Sequence, residues 1–469
     1  MSQITYGLFI FHRDFRTTDN TSLYYLSKEV DKIIPIFIFD PYQIDNSSLS
    51  TSQNSIDFMV YSLEDLNHNQ LNNKMTYFYN SPSKILEDIF KLNSNITHLA
   101  FNMDYTPYAQ KRDTQLITIA KKYNIKLIIQ EDYPITNNIL NTFNKKNEPY
   151  KKFTPFYNQA KHIKPNTPTQ TLKSTIFTKL TPNSKLKHII KSPITQFTSI
   201  SKSDLYITPG RTHILNLLKT NAFKETIKSY AKTRENPSHD TTLLSPHIKF
   251  GTISIRELYT YLKTHNASPQ LIRQLYWRDF YAAILLTSPE IITNKSTPNF
   301  YPKFNKLKWH SSPVLYKKWT SASTGFPIID AGIRQLIQTG FMHNRVRMLT
   351  ASFLIKDLHI SWQKGEEFFS KYLIDIDLAV NNGNWQNIAG TGASAQPWFR
   401  VMNPWIQSKK YDPDAQYIKH FIPELKDIPA KDIHTWYTSY KLYPQIKYPK
   451  PIIDHEKEKK ITLKMYKSV

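Results

Sequence analysis

Through its first 130 residues the chain alternates short apolar runs with longer stretches whose apolar residues recur every three to four positions. Gly7–Phe11, Ile33–Phe39, Met75–Tyr79, Thr97–Asn102 and Ile125–Ile129 are rich in Ile, Phe, Tyr and Leu and predict strands. Between them, Asn20–Val30, Ile56–Asn69, Ser83–Leu92 and Tyr108–Lys122 carry helical spacing, as in Leu116, Ile119 and Ala120. Alternation of this kind with short connections predicts an α/β domain over residues 1–133, a doubly wound parallel sheet covered on both faces. From 134 to 205 the pattern fades into Lys, Thr, Asn, Ser and Pro, with Lys-Pro-Asn-Thr-Pro-Thr at 164–169. An interdomain linker over the surface is expected there. From 206 to 469 nearly every stretch has helical spacing: Arg211–Lys232, Ile253–Lys263, Pro269–Leu286, Pro327–Gln338, Asn344–Leu358 and Glu366–Leu373. The second domain is therefore expected to be all-α, ending in a basic, weakly ordered tail from Tyr448 to Val469.

Composition narrows the classes. A chain of 469 residues is long for one core. Its 40% hydrophobic and 13% aromatic content excludes the disordered class. Lys and Arg number 61 against 37 Asp and Glu, and the net charge of +24 points to a polyanionic partner, nucleic acid first and anionic membrane second. The absence of Cys excludes disulfides, thiolate metal ligands, iron–sulfur clusters and a Cys nucleophile. The start, Met-Ser-Gln-Ile-Thr-Tyr-Gly, has no signal-peptide pattern, and no apolar run reaches membrane-spanning length. A soluble, cytoplasmic protein without membrane association is expected. No strand runs into a Gly-x-Gly-x-x-Gly turn, Gly390-Thr391-Gly392 being the nearest approach, so a dinucleotide fingerprint and a P-loop are absent. No His-Glu-x-x-His spacing predicts a metal site.

The densest polar chemistry lies in Asp375–Trp385, Asp-Ile-Asp-Leu-Ala-Val-Asn-Asn-Gly-Asn-Trp. So many short polar groups around a Gly predict a turn rather than a helix or strand. With Phe368, Phe369, Tyr372, Trp398 and Phe399 nearby in sequence, it reads either as a ligand-holding loop or as a surface loop closing a helix pair. On the helix around Trp277, residues Gln274, Trp277, Arg278 and Tyr281 share one face. That face suits stacking on a base while bonding its edge, and equally suits a partly buried amphipathic helix. Arg347 sits in an apolar helical sequence and needs an anionic partner, for which Asp375 and Asp377 are the supply. Thr241-Thr242-Leu243-Leu244-Ser245-Pro246 predicts a helix start with Ser245 as its cap, and exposed N–H groups there can also receive phosphate.

Together these stretches resemble the photolyase/cryptochrome family, most closely the class I cyclobutane pyrimidine dimer type. The resemblance rests on TTLLSPHIKFG at 241–251, QLYWRDFY at 274–281, GFPIIDAGIRQLIQTGFMHNRVRMLTASFL at 325–354, the 375–385 stretch and residues 403–425, with FIFHRDFRTTDN at 9–20 similar to the family's opening strand and loop. It implies an N-terminal antenna domain and a helical FAD-binding domain. By motif position it implies that Tyr230, Thr241, Thr242, Leu244 and Ser245 hold the FAD phosphates. Arg347, Asp375 and Asp377 would line the flavin, Asn381 would sit by its reactive nitrogen, and Gln274, Arg278 and Asn344 would also border it. Trp385, Trp362 and Trp309 match an electron-hopping chain. Gln274, Trp277, Arg278, Tyr281, Asn344, Arg345, Met348 and Gln407 match positions facing the lesion or DNA. The implied function is that of a deoxyribodipyrimidine photolyase, a blue-light-driven lyase acting as a monomer on UV-damaged DNA. Asn344 and Met348 favour the dimer-splitting type. Gln274, where class I members carry Glu, favours the (6-4) photolyase branch, and a non-catalytic cryptochrome photoreceptor is the third reading. Asn387 replaces a Trp of the lesion cavity and Leu243 an Arg near the flavin. Tyr108-Ala109 replace a folate-binding pair, which leaves a second antenna chromophore open between folate and deazaflavin types.

Overall fold

The structure is a computed structural model that describes residues 4–45, 52–181 and 184–469. Met1–Gln3 of the N-terminal stretch, and Pro182 and Asn183 of the expected linker, lie outside the described residues. By its contacts the chain divides into two compact units. The first comprises Met1–Lys228, Leu244–Pro289 and Ile374–Ala379; the second comprises Ser229–Leu243, Glu290–Leu373 and Val380–Val469.

The first unit is built on a sheet of strands β1 (Tyr6–Phe11), β2 (Lys32–Phe39), β3 (Thr76–Tyr79), β4 (Ile96–Asn102), β5 (Lys126–Gln130) and β6 (Ile189–Ile190). Their order is β5-β4-β1-β2-β3-β6. β1 to β5 pair in parallel, with Leu8 opposite Ile34 and Leu99. Leu8, Phe9, Ile10 and Ile36 are fully buried, as a strand covered on both faces requires. The parallel sheet is thus as expected, with one addition. β6 comes from the segment expected to be a patternless linker and pairs antiparallel with β3 through Tyr77 and Phe78. Two residues are too few to produce a readable alternation.

Helices Thr21–Glu29, Gln53–Asn69, Pro82–Leu92 and Pro107–Lys122 flank the sheet. Asn20, Ser52 and Thr106 cap three of them with side-chain oxygens. A buried ion network fixes the loop after β1. Asp132 accepts from Arg16 and, at 2.6 Å, from Arg256, while Asp19 also bonds Arg256 at 2.9 Å. Burial alone would raise the Asp132 carboxyl, but the two guanidiniums outweigh it and hold it well below the carboxylate range. Gly251, at φ +61°, lets its helix end lie on this loop; a Cβ there would meet the Arg13 carbonyl at 2.5 Å.

The remaining elements are helical, as expected. Four local readings need correction. The helix expected over Arg211–Lys232 is two helices, Arg211–Lys219 and Asn221–Thr233, because the Thr220 hydroxyl bonds back to Leu217 O and caps Phe223 N. Asp375–Trp385 is no turn: from Leu378 it belongs to the helix Leu378–Ala389. Asn381 and Asn382 spend their carboxamides on the neighbouring helix rather than on their own backbone. Ser245 is not the cap of Ser245–Lys249, which starts at Leu244 without a side-chain cap; its hydroxyl instead donates to Asp375 at 2.6 Å. The C-terminus is not a loose tail but the helix His455–Lys467, capped by Asp454 and burying His455, Thr462 and Tyr466. Among the described residues no helix is long and apolar enough to cross a membrane.

Candidate functional site

In the first unit the helix Pro269–Thr287 presents Gln274, Trp277 and Arg278 half-buried. Phe153 stacks on Trp277 with centroids 3.7 Å apart and planes 3° from parallel. One face of the indole is therefore taken and only the other can receive a base. Tyr281 is not a surface contact: it is 3% exposed and packs on Trp277. Arg278 turns inward too, lying 3.2 Å over the Tyr133 ring and donating to Tyr133 O at 2.6 Å. Gln274 donates to Gln270 O along its own helix.

Asp375 and Asp377, in the same unit, have separate partners. Asp375 accepts from Ser245, whereas Asp377 accepts from Arg13 at 2.9 Å. Arg13 also grips Asp104 at 2.7 Å and lies over Tyr133. Burial works against this cation, and Asp104 with Asp377 outweighs it. Arg13, Asp104 and Asp377 line a cavity of about 150 Å³ at the carboxyl ends of β1 and β2. Its floor is apolar, from Ile10, Phe37, Ile38 and Ile56. Lys249, bonded to Ser55, is pushed down to about 7 by burial, which Asp377 and Asp375 partly oppose. Tyr42 stacks on Tyr108 within 6° of parallel, and Tyr108 bonds Asp40. Sequence reasoning missed Arg13 and Lys249. The signal was the crossover rule that open parallel sheets hold ligands beyond their carboxyl ends.

Leu244, buried, also lies in the first unit, and the second unit holds the other expected residues. Asn381 is buried and donates from Nδ2 to Glu366 O and Ser370 Oγ at 3.3 and 3.2 Å. Asn382 donates to the Glu366 carboxyl at 3.0 Å. Glu366, also missed from sequence, is 6% exposed and pushed up to about 7 by burial against this one bond. Trp385 is buried beside Phe369 (4.9 Å) and Trp319 (6.5 Å), and Gly365 leaves room for its ring, since a Cβ there would sit 2.1 Å away. Trp362 is buried and donates to Asn299 at 3.0 Å, while Trp309 is half-buried beside Tyr466. Thr241, Thr242 and Tyr230 are half-buried, with Arg234 over the Tyr230 ring. Arg347 donates to Met342 O at 2.7 Å. Arg345, Met348 and Gln407 line one open cavity of about 530 Å³ with Arg400, Lys410 and Lys459, and Asn344 is exposed on the same helix as Arg345.

Comparison with known proteins identifies the family. Residues 8–173 match the DNA photolyase family model and 271–468 the model of the FAD binding domain of DNA photolyase. The deoxyribodipyrimidine photo-lyase of Buchnera aphidicola subsp. Acyrthosiphon pisum is 33% identical, covering 98% of this chain and 96% of the relative. The chain belongs to the DNA photolyase family. The Halobacterium salinarum deoxyribodipyrimidine photo-lyase is 30% identical, covering 98% of each chain. Among solved structures, the archaeal photolyase of Sulfolobus tokodaii, described with two FAD molecules and the implication of a novel light-harvesting cofactor, superposes with a TM-score of 0.85 at 33% identity, covering 99% of this chain and 100% of that one. A bacterial class III photolyase from Agrobacterium tumefaciens superposes at 0.88 and 28% identity, covering 100% and 98%. In this photolyase-family chain the helical part from Leu271 is the FAD-binding domain.

Proposed function

We propose that the chain is a light-driven DNA lyase that splits cyclobutane pyrimidine dimers with bound FAD, working as a cytoplasmic monomer. The supporting observation is the cationic cavity lined by Arg345, Met348 and Gln407, with Asn344 exposed on the helix that carries Arg345 and Met348. A net charge of +24 supplies phosphate attraction, and a stacked dimer must leave the helix to reach a buried cofactor. The FAD fits the chemistry of the residues present: Asn381 is 9% exposed and carries a carboxamide, a group that can bond a flavin ring nitrogen. FAD, when bound, supplies the electron that opens the dimer under blue light. The phosphates are assigned to Tyr230, Thr241, Thr242, Leu244 and Ser245, and the flavin's surroundings to Arg347, Asp375 and Asp377. Trp385, Trp362 and Trp309 are the proposed relay carrying electrons inward from the surface. Trp277 offers its one open face to the flipped base, and stacking of this kind contributes about 1–3 kcal/mol per base.

On this reading residues 1–133 form the antenna domain, 134–205 the linker and 206–469 the FAD- and DNA-binding domain. The 150 Å³ cavity would seat a second, planar chromophore on its apolar floor, with Lys249 and Arg13 beside it. Gln274 keeps (6-4) repair as a second reading, because a carboxamide offers both donor and acceptor to a base edge. Blue-light repair of oligonucleotides carrying each lesion, by protein with reduced FAD, tests both. Cleavage of the cyclobutane dimer alone is expected; an intact cyclobutane dimer would overturn the proposal.

A further inference from the structure

Arg345 is expected to face the lesion or DNA, where a guanidinium suits a backbone phosphate, yet it is already occupied. Nη2 pairs with Glu235, which follows the helix Asn221–Thr233. The guanidinium lies 4.4 Å over the Tyr411 ring. Glu235 also holds Arg234 at 3.2 Å, so one carboxylate serves two cations. The Arg345 Nε is buried without a partner. The Arg345 side chain is 15% exposed and lines the 530 Å³ cavity, whereas Glu235 is 34% exposed. Among the residues lining that cavity, Arg345, Arg400, Lys410 and Lys459 face one carboxylate, Glu456. A purely structural pair would lie away from the cavity and satisfy its donors. This one leaves a donor unmet and occupies a cation on the cavity wall.

We propose that Glu235 is an electrostatic brake on DNA binding: it occupies Arg345 in the free protein, and a backbone phosphate must displace it to take the guanidinium. The proposal rests on the reading of Arg345 as a DNA-phosphate contact. Its consequence is thermodynamic. A phosphate neutralised by a free Arg releases its condensed counterion, contributing about 0.9 to the slope of log K against log salt. A phosphate that displaces Glu235 returns that carboxylate to Arg234 and to solvent cations, and whatever fraction of a cation it takes up subtracts from the net release. Glu235 thus lowers both affinity and salt dependence, by up to one ion's worth.

The test uses full-chain protein loaded with FAD, in the dark, with a labelled duplex measured by fluorescence anisotropy across a salt series, with and without one cyclobutane dimer. Glu235→Gln keeps an acceptor for Arg345 and removes the charge. Its slope should steepen by up to about 0.9, with binding tightened by up to roughly eightfold at 0.1 M relative to 1 M salt. Glu235→Asp should keep the parent slope, and Glu235→Gln with Arg345→Gln should lose the steepening. An unchanged slope, or weaker binding, in Glu235→Gln overturns the brake and leaves Glu235 a positioning residue. If Arg345→Gln fails to weaken binding even in the Glu235→Gln background, Arg345 is no phosphate contact, and the reading beneath the proposal falls with it.

Discussion

Glu366→Gln isolates the buried carboxyl that supports the Asn381–Asn382 pair. The glutamate is 6% exposed, and its one side-chain partner is Asn382 Nδ2 at 3.0 Å. Burial pushes it from the ordinary 4.5 to about 7. Each tenfold in proton affinity corresponds to about 1.4 kcal/mol, so this displacement is on the order of 3 kcal/mol. The sign follows from which state holds the proton. Between pH 4.5 and 7 the folded chain keeps a proton that the unfolded chain has lost, so the stabilisation is complete below 4.5 and disappears as pH rises through 7. Glutamine keeps the acceptor for Asn382 and cannot ionise. The variant should therefore match the parent near pH 4.5 and exceed it by roughly 3 kcal/mol at pH 8. Urea unfolding of the FAD-loaded protein, followed by Trp fluorescence at a series of pH values, measures the difference. Asp279, pushed up to about 7, and Asp330, pushed up to about 6, both by burial, titrate in the same window but cancel between variant and parent. A difference that stays constant between pH 5 and 8 would refute the reasoning, because it would mean that Glu366 is already ionised in the folded state.

Four further outcomes are expected. Trp385→Phe should slow photoreduction of the flavin, read by absorbance, while repair by chemically reduced enzyme stays largely intact; loss of both would make its role one of packing. Asp132→Asn leaves Arg16 and Arg256 without their shared carboxylate and should cost about 3–5 kcal/mol in urea unfolding. Trp277→Ala should weaken binding of a dimer-containing oligonucleotide by about 1–3 kcal/mol, with undamaged duplex little affected. Glu235→Gln should steepen the salt dependence of DNA binding by up to about 0.9.

The sheet was legible because β1, β2 and β4 are buried on both faces, so their residues form unbroken apolar runs such as Leu8–Phe11. The helix Leu378–Ala389 was not, because its carboxamides have partners, Glu366 and Ser370, on another helix. Read locally, Asn381, Asn382 and Gly383 spell a turn. The helix His455–Lys467 was hidden for a related reason. Its buried residues His455, Thr462 and Tyr466 form a narrow stripe among Lys and Glu, and Asp357, which meets His455 at 2.5 Å, lies 98 residues away. The candidate site divides in the same way. Trp277 stood out as an aromatic on a polar helical face, but Phe153, which closes one side of it, lies in the stretch with the weakest pattern. Ion pairs such as Arg13 with Asp377, or Arg345 with Glu235, join positions that no spacing connects.

The two-residue strand β6 bears on how this protein behaves at high concentration. A sheet edge exposes unpaired N–H and C=O groups that another molecule's strand can join. β3, with Tyr77 and Phe78, would be such an edge, and Ile189 and Ile190 occupy its ladder. The opposite edge, β5, is guarded differently: it is five residues long, with exposed Lys126 and Gln130 at its ends. Nicking the chain between β6 and the helix Pro193–Phe197 would therefore show first as self-association through β3, before any loss of light-dependent chemistry.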